Sequence, residues 1–157
     1  MEDRIKKAYK LMERCSLCPR RCGVNRIKGK IGFCRAGIKP MVSSFHPHFG
    51  EEPPISGYNG SGTIFLTHCS LRCVYCQNYP ISQLGEGREV SVEDLASMML
   101  ELERQHCHNI NFVTPTHYMP QILEAIFIAR EKGLRLPLVY NCGGYESLEA
   151  LEILDGV

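Results

Sequence analysis

The spacing of apolar residues changes character near residue 60. Over residues 1–14, Ile5, Ala8, Leu11 and Met12 recur at helical intervals and predict a short amphipathic helix. Residues 15–40 are rich in Cys, Gly and Arg and carry no long period. Residues 46–62 contain Pro47, Pro53 and Pro54 with Gly50, Gly57, Gly60 and Gly62, and predict an irregular connector. Thereafter short apolar runs alternate with helical patterns. Thr63-Ile-Phe-Leu-Thr67 predicts a buried strand. Residues 91–106 predict a helix, with Ser91 and Asp94 as a capping pair and Val92, Leu95, Met99 and Leu102 on one face. Asn109-Ile-Asn-Phe-Val113 predicts a second strand. A helix from Pro120, with Ile122, Ala125, Ile126 and Ala129 inward, ends at Gly133. Leu138-Val-Tyr140 predicts a third strand, and Ser147 to Leu154 a third helix.

Strand followed by helix, three times over, defines an α/β fold with parallel strands and right-handed crossovers. A closed eight-stranded barrel takes about 250 residues. Three β/α units therefore predict half a barrel or an open sheet, and the last residues, one helix after the third strand, read as the end of a fragment. The expected organisation is an N-terminal helix, Cys-rich metal module and connector over residues 1–62, then the barrel-like part over residues 63–157.

Composition narrows the class. The chain has 157 residues, 44% of them hydrophobic, with 18 Lys+Arg against 17 Asp+Glu, so neither a disordered polyelectrolyte nor an acidic tail fits. No run of 18 apolar residues is present, which excludes a spanning helix of ordinary length. The first 14 residues lack the apolar stretch of a signal peptide, so the cytoplasm is the expected location, where nine cysteines point to metal rather than disulfides. Charge is uneven: residues 1–40 hold 12 basic and 3 acidic side chains, residues 41–157 hold 6 and 14. A basic segment without interleaved aromatics is a poor nucleic-acid platform. It is expected to offset thiolate charge and to dock on the acidic half of the chain.

Cys69-Ser-Leu-Arg-Cys73-Val-Tyr-Cys76-Gln-Asn78 follows the first of these strands directly. Three thiols in eight residues reach one soft metal centre without long-range folding. A structural zinc site closes with four ligands, so three cysteines leave either a zinc knuckle completed by a histidine such as His68, or a four-iron cluster with one iron open. The second group, Cys15-x2-Cys18-x3-Cys22-x11-Cys34, has the count of a closed four-thiolate site. Zinc and an auxiliary iron–sulfur cluster are both compatible with it. Cys107 and Cys142 read as ordinary thiols, and His46 and His48, flanking Pro47, as part of a solvated loop.

The spacing C-x3-C-x-aromatic-C, with Tyr75 as the aromatic, resembles the signature of the radical S-adenosylmethionine (SAM) enzymes. Gln77-Asn78, Cys15-Ser-Leu-Cys-Pro-Arg-Arg-Cys22, Gly50-Glu-Glu-Pro-Pro54, Asn109-Ile-Asn-Phe-Val-Thr-Pro-Thr-His117 and Val139-Tyr-Asn-Cys-Gly-Gly-Tyr145 resemble its pyruvate formate-lyase activating enzyme-like subgroup. The resemblance implies a partial radical SAM (β/α) barrel. Cys69, Cys73 and Cys76 would bind a 4Fe-4S cluster that reductively cleaves SAM to methionine and a 5′-deoxyadenosyl radical for hydrogen abstraction. It places Tyr75, Asn78, Thr114, Thr116, His117 and Asn141 around the cofactor. Thr114, Thr116 and His117 stand where the family often carries Gly-Gly-Glu, and Asn141 resembles the Asn of a Thr-Asn-Gly segment. No protein side chain is assigned a catalytic role. Partners implied are an electron donor such as flavodoxin or ferredoxin and a protein substrate bearing a glycine. The alternatives are modification of RNA or a cofactor by the same radical, or a non-catalytic iron–sulfur or zinc protein fragment.

Overall fold

The computed structural model describes residues 1–157. Helix α1 (Glu2–Glu13) is followed by an irregular segment through residue 40, then strand β1 (Met41–His48), the short helix α2 (Pro53–Ser56) and strand β2 (Ser61–Leu66). A five-residue π turn (Pro80–Leu84) leads to β3 (Arg88–Glu89) and helix α3 (Val92–Arg104). Strand β4 (Ile110–Val113), helix α4 (Met119–Glu131), strand β5 (Leu138–Asn141) and helix α5 (Leu148–Leu154) complete the chain.

The five strands form one open sheet in the order β3-β1-β2-β4-β5. β2, β4 and β5 run parallel, with Thr63 beside Asn111 and Asn111 beside Val139. These are the three strands the alternation predicts. Local chemistry fixes the helices that join them. The Asp94 N–H donates to Ser91 Oγ and the Ser91 N–H donates back to the Asp94 carboxylate, both at 3.0 Å, closing the capping box at the start of α3. At α5, Ser147 Oγ accepts from the Ala150 N–H at 3.2 Å.

The connector expected over 46–62 is in part a strand. β1 pairs antiparallel with β2, from Val42 opposite Leu66 to His48 opposite Ser61, and with β3 only through Met41 and Val42. From Ser43 onward its other edge is free, and a free edge tolerates a residue without an N–H; Pro47, opposite Gly62, therefore sits within the strand. The sheet accordingly crosses the division drawn at residue 62.

One sheet face is apolar. Ile64 and Leu66 of β2 and Ile110 and Phe112 of β4 pack under Leu95, Met99 and Leu102 of α3 and Ile122, Ala125 and Ile126 of α4. The alternate residues, Thr63 and Asn111, are buried on the opposite face, where the imidazole of His46 stacks on Phe65 at 5.4 Å. A second apolar cluster joins Ala8 and Met12 of α1 to Met119 and Leu123 of α4, Ala150 of α5, and Cys15 and Leu17 of the Cys-rich segment. No helix is long and apolar enough to cross a membrane.

Candidate iron–sulfur and SAM site

Three loops leave the carboxyl ends of the parallel strands β2, β4 and β5, the end at which ligands bind in such sheets. The loop after β2 holds Cys69, Cys73 and Cys76. It turns sharply through two left-handed residues, His68 (φ 65°) and Arg72 (φ 54°). Gln83 Nε2 donates to the Cys73 carbonyl at 2.7 Å, and the Cys76 N–H reaches the same oxygen at 3.3 Å. The sulfurs have polar neighbours: Leu71 N–H donates to Cys69 Sγ at 3.3 Å, and Ser82 Oγ lies 3.2 Å from Cys76 Sγ. Cys69 is buried, Cys73 and Cys76 half-buried, whereas Val74 and Tyr75 are 94% and 87% exposed.

The loop after β4 is more enclosed than its sequence implies. Thr116 and His117 are buried. Thr116 Oγ1 donates to the Glu146 carboxylate, and His117 hydrogen-bonds through Nε2 to the Thr67 carbonyl at 2.8 Å. Burial holds the His117 imidazolium down, to a pKa of about 3, so the ring is neutral and Nε2 carries the proton given to Thr67. Its Nδ1 is buried without a partner. Thr114 is half-buried and left-handed (φ 57°), an uncommon conformation for a β-branched residue, and its N–H donates to the Asn141 carbonyl at 2.8 Å.

The loop after β5 closes the group. Asn141 is exposed at the strand end. Gly143 lies against the cysteine loop, where an added Cβ would meet Leu71 Cδ1 at 2.3 Å. Absence of a side chain there lets two loops approach. Asn78 is half-buried and its carbonyl accepts from the Ser82 N–H at 2.8 Å. Thus Thr114, Asn141 and the cysteine loop share one rim, while Thr116 and His117 bind the loops to each other from beneath.

The N-terminal cysteines approach the same end of the sheet. Cys15, Cys18, Cys22 and Cys34 line one small cavity together with Arg20, Arg26, Phe33, Ser70 and His117. Burial pushes the Cys15 and Cys18 thiols up, and Cys22 and Cys34 beside Cys18 add to the rise. Arg26 is 1% exposed; its guanidinium donates to the His117 carbonyl at 2.6 Å and the Gly37 carbonyl at 2.5 Å. Arg20 Nε donates to the Ser70 carbonyl at 2.7 Å, one residue from Cys69. As the side chains lie, no three His, Cys, Asp or Glu groups stand in ion-binding geometry at either cysteine group.

Sequence reasoning missed Arg20, Arg26, Ser70, Ser82 and Gln83. Only Arg20 and Arg26 left a signal, as basic residues among cysteines. Cys107 is a core thiol and Cys142 is exposed.

The structure is an open α/β sheet with a three-cysteine loop at the carboxyl end of its first parallel strand. Residues 63–157 match the Radical SAM superfamily, and the chain belongs to that family. Membership implies a 4Fe-4S cluster and SAM as cofactors. Two relatives come from Methanocaldococcus jannaschii. Uncharacterized protein MJ0674 is 29% identical over 166 residues, covering all of this chain and 46% of that protein. Uncharacterized protein MJ0808 is 28% identical over 160 residues, covering 90% of this chain and 46% of that protein. The chain thus spans about half the length of these curated relatives. No solved structure gives a significant match.

Proposed function

We propose that this chain carries the cluster-binding part of a radical SAM enzyme of the pyruvate formate-lyase activating enzyme-like kind, with Cys69, Cys73 and Cys76 as the cluster ligands. The observation that supports this most is the placement of all three cysteines on one loop at the carboxyl end of β2, within the residues that match the family. The donor set fits the group. Three thiols supply soft ligands for three irons, the Leu71 N–H and Ser82 hydroxyl stabilise negative sulfur, and a fourth cysteine is missing where an open iron needs none.

When bound, the cluster supplies the single electron that cleaves SAM and so generates the hydrogen-abstracting radical. The protein's own contribution is placement and exclusion of water. Gln83 fixes the backbone at Cys73, and Gly143 brings the β5 loop within contact of Leu71. Thr114 and Asn141 present polar groups on the rim beside the cysteines, while Tyr75 stands exposed as a cover for the cofactor. An electron donor such as flavodoxin or ferredoxin approaches that exposed loop, and the hydrogen donor is a glycine of a protein substrate.

The test is electron paramagnetic resonance of the anaerobically reconstituted, reduced chain with and without SAM. The expected result is a reduced-cluster signal that changes on adding SAM and is absent in Cys73→Ala. A signal indifferent to SAM, or one that persists in Cys73→Ala, overturns the ligand assignment.

A further inference from the structure

The radical SAM reading leaves four cysteines unused. Their cavity is narrow, with room for one water-sized body, about 10 Å³, at the lower edge of the roughly 10–15 Å³ that a single water requires. We infer that Cys15, Cys18, Cys22 and Cys34 form a structural site for one zinc ion, and that this ion clamps the N-terminal segment onto the end of the sheet that carries the 69–76 loop.

The backbone is already wound around the site. The Cys15 N–H donates to the Val24 carbonyl at 2.9 Å and the Gly23 N–H returns to the Cys15 carbonyl at 3.1 Å. Arg21 N–H closes a turn on the Cys18 carbonyl at 3.0 Å, and Arg35 N–H does the same on Gly32. Gly32 lies so close to the Cys22 sulfur that a Cβ there would be 2.6 Å from it. The approach to Cys34 is thereby pressed against Cys22, and binding requires the thiols to close on the ion from where they lie.

Size favours a single ion, and charge suits any metal held by four thiolates. A cavity for one water-sized body suits a tetrahedral ion, whereas a four-iron cube needs several times that space. Four thiolates around a divalent ion leave two negative charges, and two guanidiniums, Arg20 and Arg26, line the same cavity. Binding releases the four thiol protons to solvent.

Apolar burial in the segment is slight: Cys15 and Leu17 join the second cluster and Ala36 the main one, while Ile27, Ile31, Phe33 and Ile38 are all exposed. A short segment with so small a share of the core gains most from a metal or a cross-link. What the ion would secure is specific: the Arg20 bond to Ser70, the Arg26 bond to His117, and the cation–π contact of Arg20 with Phe33 at 3.5 Å.

The experiment uses the 157-residue chain with Cys69, Cys73 and Cys76 all changed to Ala, so that failure of the cluster assignment cannot affect the outcome. Metal analysis should find one zinc per chain, and X-ray absorption at the zinc edge four sulfur neighbours at about 2.3 Å. Exchange with Co²⁺ should give the visible spectrum of a tetrahedral tetrathiolate, and adding Cys34→Ser should remove the zinc. If the triple variant does not stay in solution, zinc-edge absorption on the unaltered chain decides the same question. An iron–sulfur cluster on these four cysteines, no metal at all, or zinc unaffected by Cys34→Ser overturns the proposal.

Discussion

Thr114 shows how a single residue can be locally unfavourable and still well placed. Its left-handed backbone strains a β-branched side chain by about 1 kcal/mol or more, yet that conformation turns the chain from β4 toward the rim and lets its N–H bond Asn141. Asn tolerates the conformation better, so Thr114→Asn should raise stability by about 1 kcal/mol in urea denaturation. If Thr114 contacts SAM, the same variant should weaken the SAM-induced change in the cluster signal. A variant no more stable than the native chain would show that the turn is not strained. At this scale the sequence is a partial guide. The cysteine spacing announces metal because thiol chemistry needs no fold to be recognised. Thr116 reads as a candidate equal to Thr114, and His117 as the favoured one of the three, but the burial of Thr116 and His117 and their bonds to Glu146 and Thr67 arise from packing that no local pattern encodes.

Among the elements, those with a strong period were legible and those made by pairing were not. α3, α4 and α5 and the three parallel strands follow from apolar spacing and caps, with ends displaced by a residue or two. β1 was hidden because Pro47 and the His residues flanking it look like loop, and only the free edge beside them makes a strand possible. β3, at two residues, carries no period to read. α1 was legible as a helix, but not its docking on α4. There the Tyr9 hydroxyl donates to Glu124 Oε2 at 2.5 Å, and burial, then Glu124, pushes the Tyr9 pKa well above its ordinary value. The sign follows from linkage. A tyrosine raised in the folded state stabilises the fold fully below the unfolded value near 10, and that contribution is lost as pH rises further. Tyr9→Phe should therefore cost about 1 kcal/mol near neutral pH and flatten the alkaline fall in stability. Tyr118, raised to about 12 by burial, leaves a residual slope. An unchanged alkaline limb would mean that the hydroxyl is solvated in solution.

At the scale of the whole molecule, Arg26 ties the four-cysteine segment to the β4 loop, and Arg20 ties it to the 69–76 loop. The charge asymmetry of the sequence predicted that the basic segment would offset thiolates and dock on the acidic half of the chain. The first part acquires a residue, since the Arg26 guanidinium lies beside Cys15 within the four-cysteine cavity; the inward docking does not run through acidic side chains, because Arg26 and Arg20 bond the backbone carbonyls of His117 and Ser70. By contrast, the pair of Arg21 with Glu149 at 3.4 Å is exposed on both sides, and such pairs contribute little. Arg26→Met keeps the bulk of the side chain but leaves the Gly37 and His117 carbonyls without their donor, at a cost of about 2–4 kcal/mol. It also removes positive charge from the thiolates, so it should lower metal retention at Cys15, Cys18, Cys22 and Cys34. Arg26→Lys restores the charge but cannot serve two carbonyls with a planar fork. Denaturation and metal stoichiometry together separate these roles: Lys should recover metal while remaining less stable than Arg. If Met leaves both quantities unchanged, the guanidinium is not what holds the N-terminal segment to the end of the sheet. The Arg20 bond to the Ser70 carbonyl and the Arg72 bond to the Phe33 carbonyl at 3.5 Å would then have to carry that link.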